Sequence, residues 1–205
     1  MYERQLWSKG TSFIAGVDEV GRGCLFGDVV AAAVIMPVGL HLEGVKDSKT
    51  IREKQREVLY ELILSSALAV GIARVDAQTI DRINIREASR LAMKQAVLAL
   101  QITPDELLID AESIQLPIKQ QSIIHGDALS QSIAAASIVA KVTRDRLCIE
   151  WDSQYPVYGL RKHKGYATKV HREQILNYGA TSMHRKTFIK NLLPQLKEQN
   201  MHEST

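Results

Sequence analysis

The chain has little cysteine. Its 205 residues hold two, Cys24 and Cys148. One pair makes no disulfide framework, and its separation lacks the close spacing of a zinc knuckle. Both read as small core residues of a reducing compartment. Aromatic residues are scarce at 5%, and Trp7 and Trp151 are the two tryptophans. A sugar-binding cleft lined with indole platforms has little to be built from. Long apolar runs are missing too, since no stretch of about 18 apolar residues occurs to form a spanning helix. The opening residues contain Glu3, Arg4 and Lys9 with no long apolar run after them, unlike a secretory signal. These absences lead us to expect a cytoplasmic protein with no membrane association, and a monomer.

Charge of one sign is lacking as well. Basic and acidic residues number 26 and 23, for a net charge of +3, which is weak evidence for a polyanionic partner. The distribution says more. Arg161, Lys162, His163, Lys164, Lys169, His171 and Arg172 cluster around Tyr166. Basic side chains interleaved with an aromatic suit a nucleic-acid footprint, although a solvated loop explains charge alone equally well. The remaining composition, 45% hydrophobic and 24% charged, is that of an ordinary globular domain.

What is present is an alternation of strand and helix signals, with no internal repeat. Phe13–Asp18 and Asp28–Met36 read as strands joined by a glycine-rich turn. Ala67–Val75, Glu106–Asp110 and a weaker Lys119–His125 follow. Thr50 with Glu53 makes a capping box before a helix whose apolar face is Ile51, Val58, Leu59, Leu62 and Ile63. Asn84 with Glu87 repeats the signal before Ala88, Leu91, Ala92, Ala96 and Ala99. Ser130–Trp151 is a long helix rich in Ala and Ser, able to approach a sheet closely. Another helix runs from Thr168 to a stop at Gly179, and a last one from about Thr187 carries Ile189, Leu192, Leu193 and Leu196. Three consecutive strands suggest a meander, and the later alternation suggests a mixed α/β sheet with helices on both faces. We expect a core over residues 1–160 and a helical segment, 161–205, packed on it as a cap.

Carboxylates sit where apolar strands end. Phe13–Val17 runs into Asp18 and Glu19, Leu107–Ile109 into Asp110, and the fifth strand into Gly126-Asp127. A carboxylate at a buried strand end needs a cation or hydrogen-bond donors. If the strands bearing Asp18 and Asp110 are parallel neighbours, the two charges repel, and a divalent cation relieves that repulsion. An all-oxygen set selects a hard ion such as Mg²⁺ or Mn²⁺. Taken singly, each carboxylate could instead cap a helix or sit in a turn. A metal-free acid–base pair like that of glycosidases is a second alternative, which the surrounding basic residues disfavour.

The run Gly16-Val17-Asp18-Glu19-Val20-Gly21-Arg22-Gly23 resembles the opening signature of bacterial ribonuclease HII. Asp47-Ser48-Lys49, Leu108-Ile109-Asp110, Gly126-Asp127, the stretch from Ala136 to Arg146, and His163-Lys164-Gly165-Tyr166-Ala167-Thr168 resemble its later motifs, in the same order. The resemblance implies a ribonuclease H-like fold. It also implies hydrolysis of the RNA strand of RNA–DNA hybrids, cutting 5′ of ribonucleotides embedded in duplex DNA, and 5′-phosphate and 3′-hydroxyl products. The family's four catalytic carboxylates fall on Asp18, Glu19, Asp110 and Asp127. Two ions about 4 Å apart would clamp the scissile phosphate, with Asp18 and Asp110 central and Glu19 and Asp127 completing one sphere each.

The same resemblance places the reader of the ribose 2′-hydroxyl, the group that separates RNA from DNA, on Gly21, Arg22 and Gly23. It places a sugar-packing aromatic on Tyr166. Lys49, Lys141 and Lys164 are candidates for phosphate contact. Asp145, between Arg144 and Arg146, reads as an ion-pairing residue. Several positions depart from the family pattern. Val20 stands where Ala is more frequent, Asp28 where Pro is common, His125 where Lys is usual, and Ala111 where Gly is usual. A noncatalytic hybrid-binding module is the alternative from another class, but it has no need of four carboxylates. Ribonuclease HIII is the nearer alternative. It carries an extra N-terminal domain and usually Glu at the fourth acidic position, where this chain has Asp127.

Overall fold

The computed structural model describes residues 2–45 and 51–192. A five-stranded sheet organises it. Its strands are β1 (Ile14–Val20), β2 (Val29–Ile35), β3 (Ala69–Val75), β4 (Glu106–Asp110) and β5 (Lys119–Ile123), in spatial order β3-β2-β1-β4-β5. The first three form the expected antiparallel meander, and β4 and β5 join in parallel beyond β1. Helices are α1 (Tyr2–Trp7), α2 (Glu53–Ser66), α3 (Ala77–Ile83), α4 (Ile85–Leu98), α5 (Gly126–Leu129), α6 (Gln131–Gln154), α7 (Leu160–His163) and α8 (Lys169–Tyr178).

Strand alternation divides the core. Ala15, Val17, Val29, Ala31, Ala33 and Ile35 face α4, packing on Ala88, Ala92, Met93 and Ala96. The intervening Ala32 and Val34 face the other way, onto α2 and the Ala134–Ala136 run of α6. The sheet is therefore covered on both sides, as its fully buried interior strand β2 requires. Gly16 sets how close α6 comes to β1: a Cβ there would fall 1.9 Å from the Ser132 carbonyl carbon. A long helix thus lies directly against the strand that carries the first two acidic residues.

Several local expectations need correction. Helix α2 has Arg52 as its N-cap with no side-chain capping bond, so Glu53 opens the helix instead of closing a capping box. Thr50 lies outside the described residues. Val58 and Leu62 are exposed, and the buried face is Arg56, Leu59, Tyr60 and Ile63. Apolar periodicity misplaced this face because it gives no weight to arginine. Arg56 is buried because its guanidinium reaches Asp145 at 3.3 Å and the Ile51 carbonyl at 2.8 Å. Residues 187–192 form turns rather than a helix, and Leu193 and Leu196 lie outside the described residues. The Asn84 cap of α4 is present, its side chain accepting from the Arg86 and Glu87 amides. Thr168 likewise caps α8, which stops at Gly179.

Beyond α6, a 3-10 turn (Pro156–Tyr158), α7 and α8 pack on the 24–26 loop and the end of α6. Their shared cluster is Leu25, Phe26, Cys148, Trp151, Tyr158, Leu160, Ile175 and Ile189. Both cysteines are free and buried. No described helix is long and apolar enough to cross a membrane.

Candidate active site

Strands β1 and β4 run parallel with Val17 opposite Ile109. One residue further on, Asp18 and Asp110 are side by side at the end of the sheet. Asp18 is buried against α6, where Ser137 donates to its carboxylate and the Glu19 amide donates to Oδ1 at 2.7 Å. The Gly126 amide donates to Asp110 Oδ1, also at 2.7 Å. Burial drives the Asp18 carboxyl well above its ordinary range, and the adjacent charges of Glu19 and Asp110 push it further. Burial raises Glu19 too, opposed by Arg22. Asp18, Glu19, Asp110, Ser137, Lys141 and Tyr166 line one cleft of about 120 Å³.

Asp127 does not line that cleft. It sits in the first turn of α5, buried, and lines a second groove with His41, Ser130 and Gln131. Among the described residues, no three His, Cys, Asp or Glu side chains are gathered closely enough to hold a metal ion between them. The donor set nevertheless fits a hard divalent ion. It is all oxygen, and burial, which is the main cause of the raised Asp18 and Glu19 carboxyls, is joined at both by the charge of Asp110.

The cationic candidates are mostly engaged. Arg22 Nη1 lies 3.3 Å from Glu19 Oε1 and 3.7 Å from Glu112 Oε1. Lys141 pairs with Asp145, which also takes Arg56 at 3.3 Å. Asp145 is thus an ion-pairing residue, although its partners are not its sequence neighbours. Lys164 reaches Glu53 at 3.6 Å from a left-handed backbone position. Lys49 lies outside the described residues. The basic cluster is smaller than its sequence suggested. His171 is fully buried, its Nδ1 donating to the Tyr166 carbonyl at 2.9 Å, and burial lowers its pKa to about 4. It stacks on His163 with ring centroids 4.4 Å apart. Arg161, Lys162, Lys169 and Arg172 remain exposed. Tyr166 is 41% exposed, so it is a cleft-facing ring more than a core one.

Three residues were not picked out from the sequence. Glu112 is a largely buried carboxylate that gathers Arg22, Arg86 and Arg90. Arg144 and Arg185 are both fully buried, and their guanidiniums bond backbone carbonyls of the 22–28 loop. The signal for Arg144 lay inside a quoted motif. Arg185 carried none that separates it from a surface cation. Two departures from the family pattern also acquire a physical reading. Ala111 holds φ at 50°, a left-handed position that costs an alanine roughly 1–2 kcal/mol and a glycine nothing comparable. Asp28 is buried beside Arg74 at 3.6 Å, with its carboxyl raised chiefly by burial.

Comparison with known proteins agrees with this geometry. The profile of the family described as Ribonuclease HII matches residues 15–191. A ribonuclease HII from Alkaliphilus metalliredigens (strain QYMF) is 58% identical over 197 residues, covering 93% of this chain and 97% of its own length. Among solved structures, the ribonuclease H2 from Pyrococcus horikoshii OT3 superposes with a TM-score of 0.77 at 25% identity, covering 91% of this chain and 99% of that one. The Bst-RNase HIII solved in complex with Mn²⁺ shares the fold, with a TM-score of 0.63 at 20% identity over 97% of this chain and 73% of that one. The chain belongs to the ribonuclease HII family, the type 2 ribonucleases H, which are divalent-metal-dependent endoribonucleases acting on RNA paired with DNA.

Proposed function

We propose that this chain both cuts within the RNA strand of hybrids and cuts 5′ of single ribonucleotides embedded in duplex DNA, by two-metal-ion hydrolysis leaving 5′-phosphate and 3′-hydroxyl ends. The observation that carries the reading is the juxtaposition of Asp18 and Asp110 at the ends of parallel strands, with Glu19 in the same cleft. Asp18, Glu19 and Asp110 would hold Mg²⁺ or Mn²⁺. Asp127 would complete the set from the first turn of α5. When bound, the ions supply an activated water and stabilise the leaving 3′-oxygen.

The protein's part is binding and orientation. Ser137 and the Glu19 amide fix one Asp18 carboxylate, and the Gly126 amide fixes Asp110, so both hold their aim before substrate arrives. Gly21, Arg22 and Gly23 would read the ribose. Arg22, Lys141 and Lys164 would receive phosphates, exchanging the carboxylate partners they now hold, with Lys49 a further candidate. Tyr166 faces the cleft and would pack on the sugar at the junction. The segment 161–205 would act as a cap on a single functional unit, the enzyme working as a cytoplasmic monomer.

Cleavage-site mapping on a DNA duplex with one ribonucleotide tests this reading, run in Mg²⁺, in Mn²⁺ and in excess chelator. A single cut 5′ of the ribonucleotide, leaving 5′-phosphate and dependent on metal, is expected. Cleavage of long hybrids with none at the lone ribonucleotide would overturn the nicking activity.

A further inference from the structure

We infer that Arg185 is a positioning residue for ribose recognition, because it fixes the Arg22–Gly23 peptide from beneath and so aims the Gly23 N–H at the substrate. The inference rests on the reading of Gly21–Gly23 as the ribose-recognising turn.

Arg185 is fully buried and engages the 22–27 loop at three points. Its Nη1 donates to the Arg22 carbonyl at 2.9 Å, its Nε to the Gly27 carbonyl at 2.9 Å, and its backbone amide to the Leu25 carbonyl at 2.8 Å. The Gly27 amide returns a bond to the Met183 carbonyl at 2.9 Å. The segment bearing Arg185 is itself anchored. Asp81 accepts from the Lys186 and Thr187 amides at 2.8 and 2.9 Å. The guanidinium is therefore held at both ends.

Peptide planarity converts this into an aim. No peptide bond among the described residues is cis. In a trans peptide the carbonyl and the following N–H point in opposite directions. With the Arg22 carbonyl drawn inward to Arg185, the Gly23 N–H points outward. Gly23 is exposed, nothing lies within 4 Å of where its Cβ would be, and no described group accepts from its amide. An outward donor under open space is what a sugar hydroxyl can accept from or displace water at. The other flank of the turn is closed by the second buried arginine. Gly21 has φ of 96°, and a Cβ there would fall 2.3 Å from Arg144 Nε.

Stability alone does not account for Arg185. Its Nη2 is buried with no partner among the described residues, and burial lowers its pKa to about 10, so it remains charged at neutral pH. A buried guanidinium carries a desolvation cost that bonds to neutral carbonyls offset only in part. A buried cation retained at such a cost, with its donors on the backbone of the reading turn, points to a role in holding that turn.

The test is a binding titration in an Asp110→Asn background, so that substrate persists. Affinity is measured for a duplex with one ribonucleotide and for the all-DNA duplex of the same sequence. Arg185→Met should reduce the preference for the ribonucleotide by about fivefold, the worth of one neutral hydrogen bond. The all-DNA affinity should change by less than about twofold; the melting temperature should fall, because the Arg22 and Gly27 carbonyls lose their donors, so binding is measured well below it. An undiminished preference in folded R185M overturns the inference, and so does parallel weakening on both duplexes. If R185M does not fold, Arg185→Lys decides by the same ratio: it keeps the charge but, as a single ammonium, cannot span both carbonyls. A background protein with no preference for the ribonucleotide at all would instead overturn the reading of the turn, and the inference with it.

Discussion

The Arg22 guanidinium lies 3.3 Å from the carboxylate of Glu19, a residue that would ligate metal, and 3.7 Å from Glu112. Glu112 also holds Arg86 at 3.6 Å and Arg90 at 3.0 Å. This largely buried carboxylate therefore shares Arg22 with Glu19. Glu112→Gln should leave Arg22 to Glu19 alone, where it competes with the cation. The metal concentration for half-maximal activity should rise by up to about fivefold, the range of a partly exposed ion pair. The maximal rate at saturating metal should stay near wild type. A metal titration checks both, and an unchanged midpoint would show that Glu112 serves only its α4 partners.

Asp18 carries a stability penalty that its function explains. Its folded carboxyl lies well above the ordinary value of 3.8, from burial first and from Glu19 and Asp110 next. A raised carboxylate destabilises the fold when ionised. The penalty is absent below the ordinary value and complete above the raised one, so it is present at neutral pH. Asp18→Asn should abolish cleavage and yet raise the metal-free melting temperature at neutral pH by about 2–4 °C, the shift roughly 1 kcal/mol gives in a chain this size. The gain should vanish as pH falls through the raised range. Melting curves of both proteins from pH 4 to 8 would reveal it, and a lower melting temperature at neutral pH would contradict the assigned cost of the buried charge.

Asp110→Asn removes a ligand and a charge but keeps the shape and the oxygen that accepts from Gly126 at 2.7 Å. Turnover should fall at least about a hundredfold, as for the loss of one preorganised electrostatic group. Hybrid affinity should change little. Excess chelator should silence the wild type equally. Cleavage assays beside a binding titration check these outcomes, and wild-type turnover by the variant would take Asp110 out of the site.

Much of this was legible in the sequence because it follows from periods and strand ends. Short apolar runs beside turn residues marked β1, β2 and β4, and two of those runs ending in Asp18 and Asp110 marked the cleft before any pairing was known. The α2 face was misread because Arg56 behaves as a core residue once Asp145 and the Ile51 carbonyl receive it. His171 looked like a surface cation, since only the fold shows that it stacks on His163 with its proton on the Tyr166 carbonyl. Glu112 and Arg185 were invisible for one shared reason. Their partners lie on other segments of the chain, and no local pattern distinguishes a charge facing a loop backbone from a charge facing water.

Binding should weaken as salt rises. Arg161, Lys162, Lys169 and Arg172 are exposed beside the Tyr166 segment, and each phosphate neutralised releases counterions. Two to four such contacts should give a slope of log affinity against log salt of about −2 to −4. Arg161→Ala with Lys162→Ala should flatten it by up to about 2. A wild-type affinity constant between low and moderate salt would remove this surface as the docking face.

Tyr166→Ala should harm cleavage at a lone ribonucleotide more than cleavage within a long RNA strand. The ring is 41% exposed and lines the cleft with Asp18, Asp110 and Lys141. It is held there by its own backbone, whose amide donates to the His163 carbonyl at 2.9 Å and whose carbonyl takes His171 Nδ1. A ring so placed can pack on the sugar of the deoxynucleotide that follows the ribonucleotide. No 2′-hydroxyl would crowd it there, and the contact would help to bend the backbone toward the carboxylates. Within continuous RNA the next sugar bears that hydroxyl, so the contact contributes less and its loss matters less. A purely structural ring predicts a different pattern: truncation of a core aromatic costs roughly 3–5 kcal/mol and lowers both activities alike. Because Tyr166 is half exposed, we expect about 1 kcal/mol or less. The measurement is the ratio of the two rates beside a melting curve of the variant. Equal losses on both substrates with a large drop in melting temperature would assign the ring to the core.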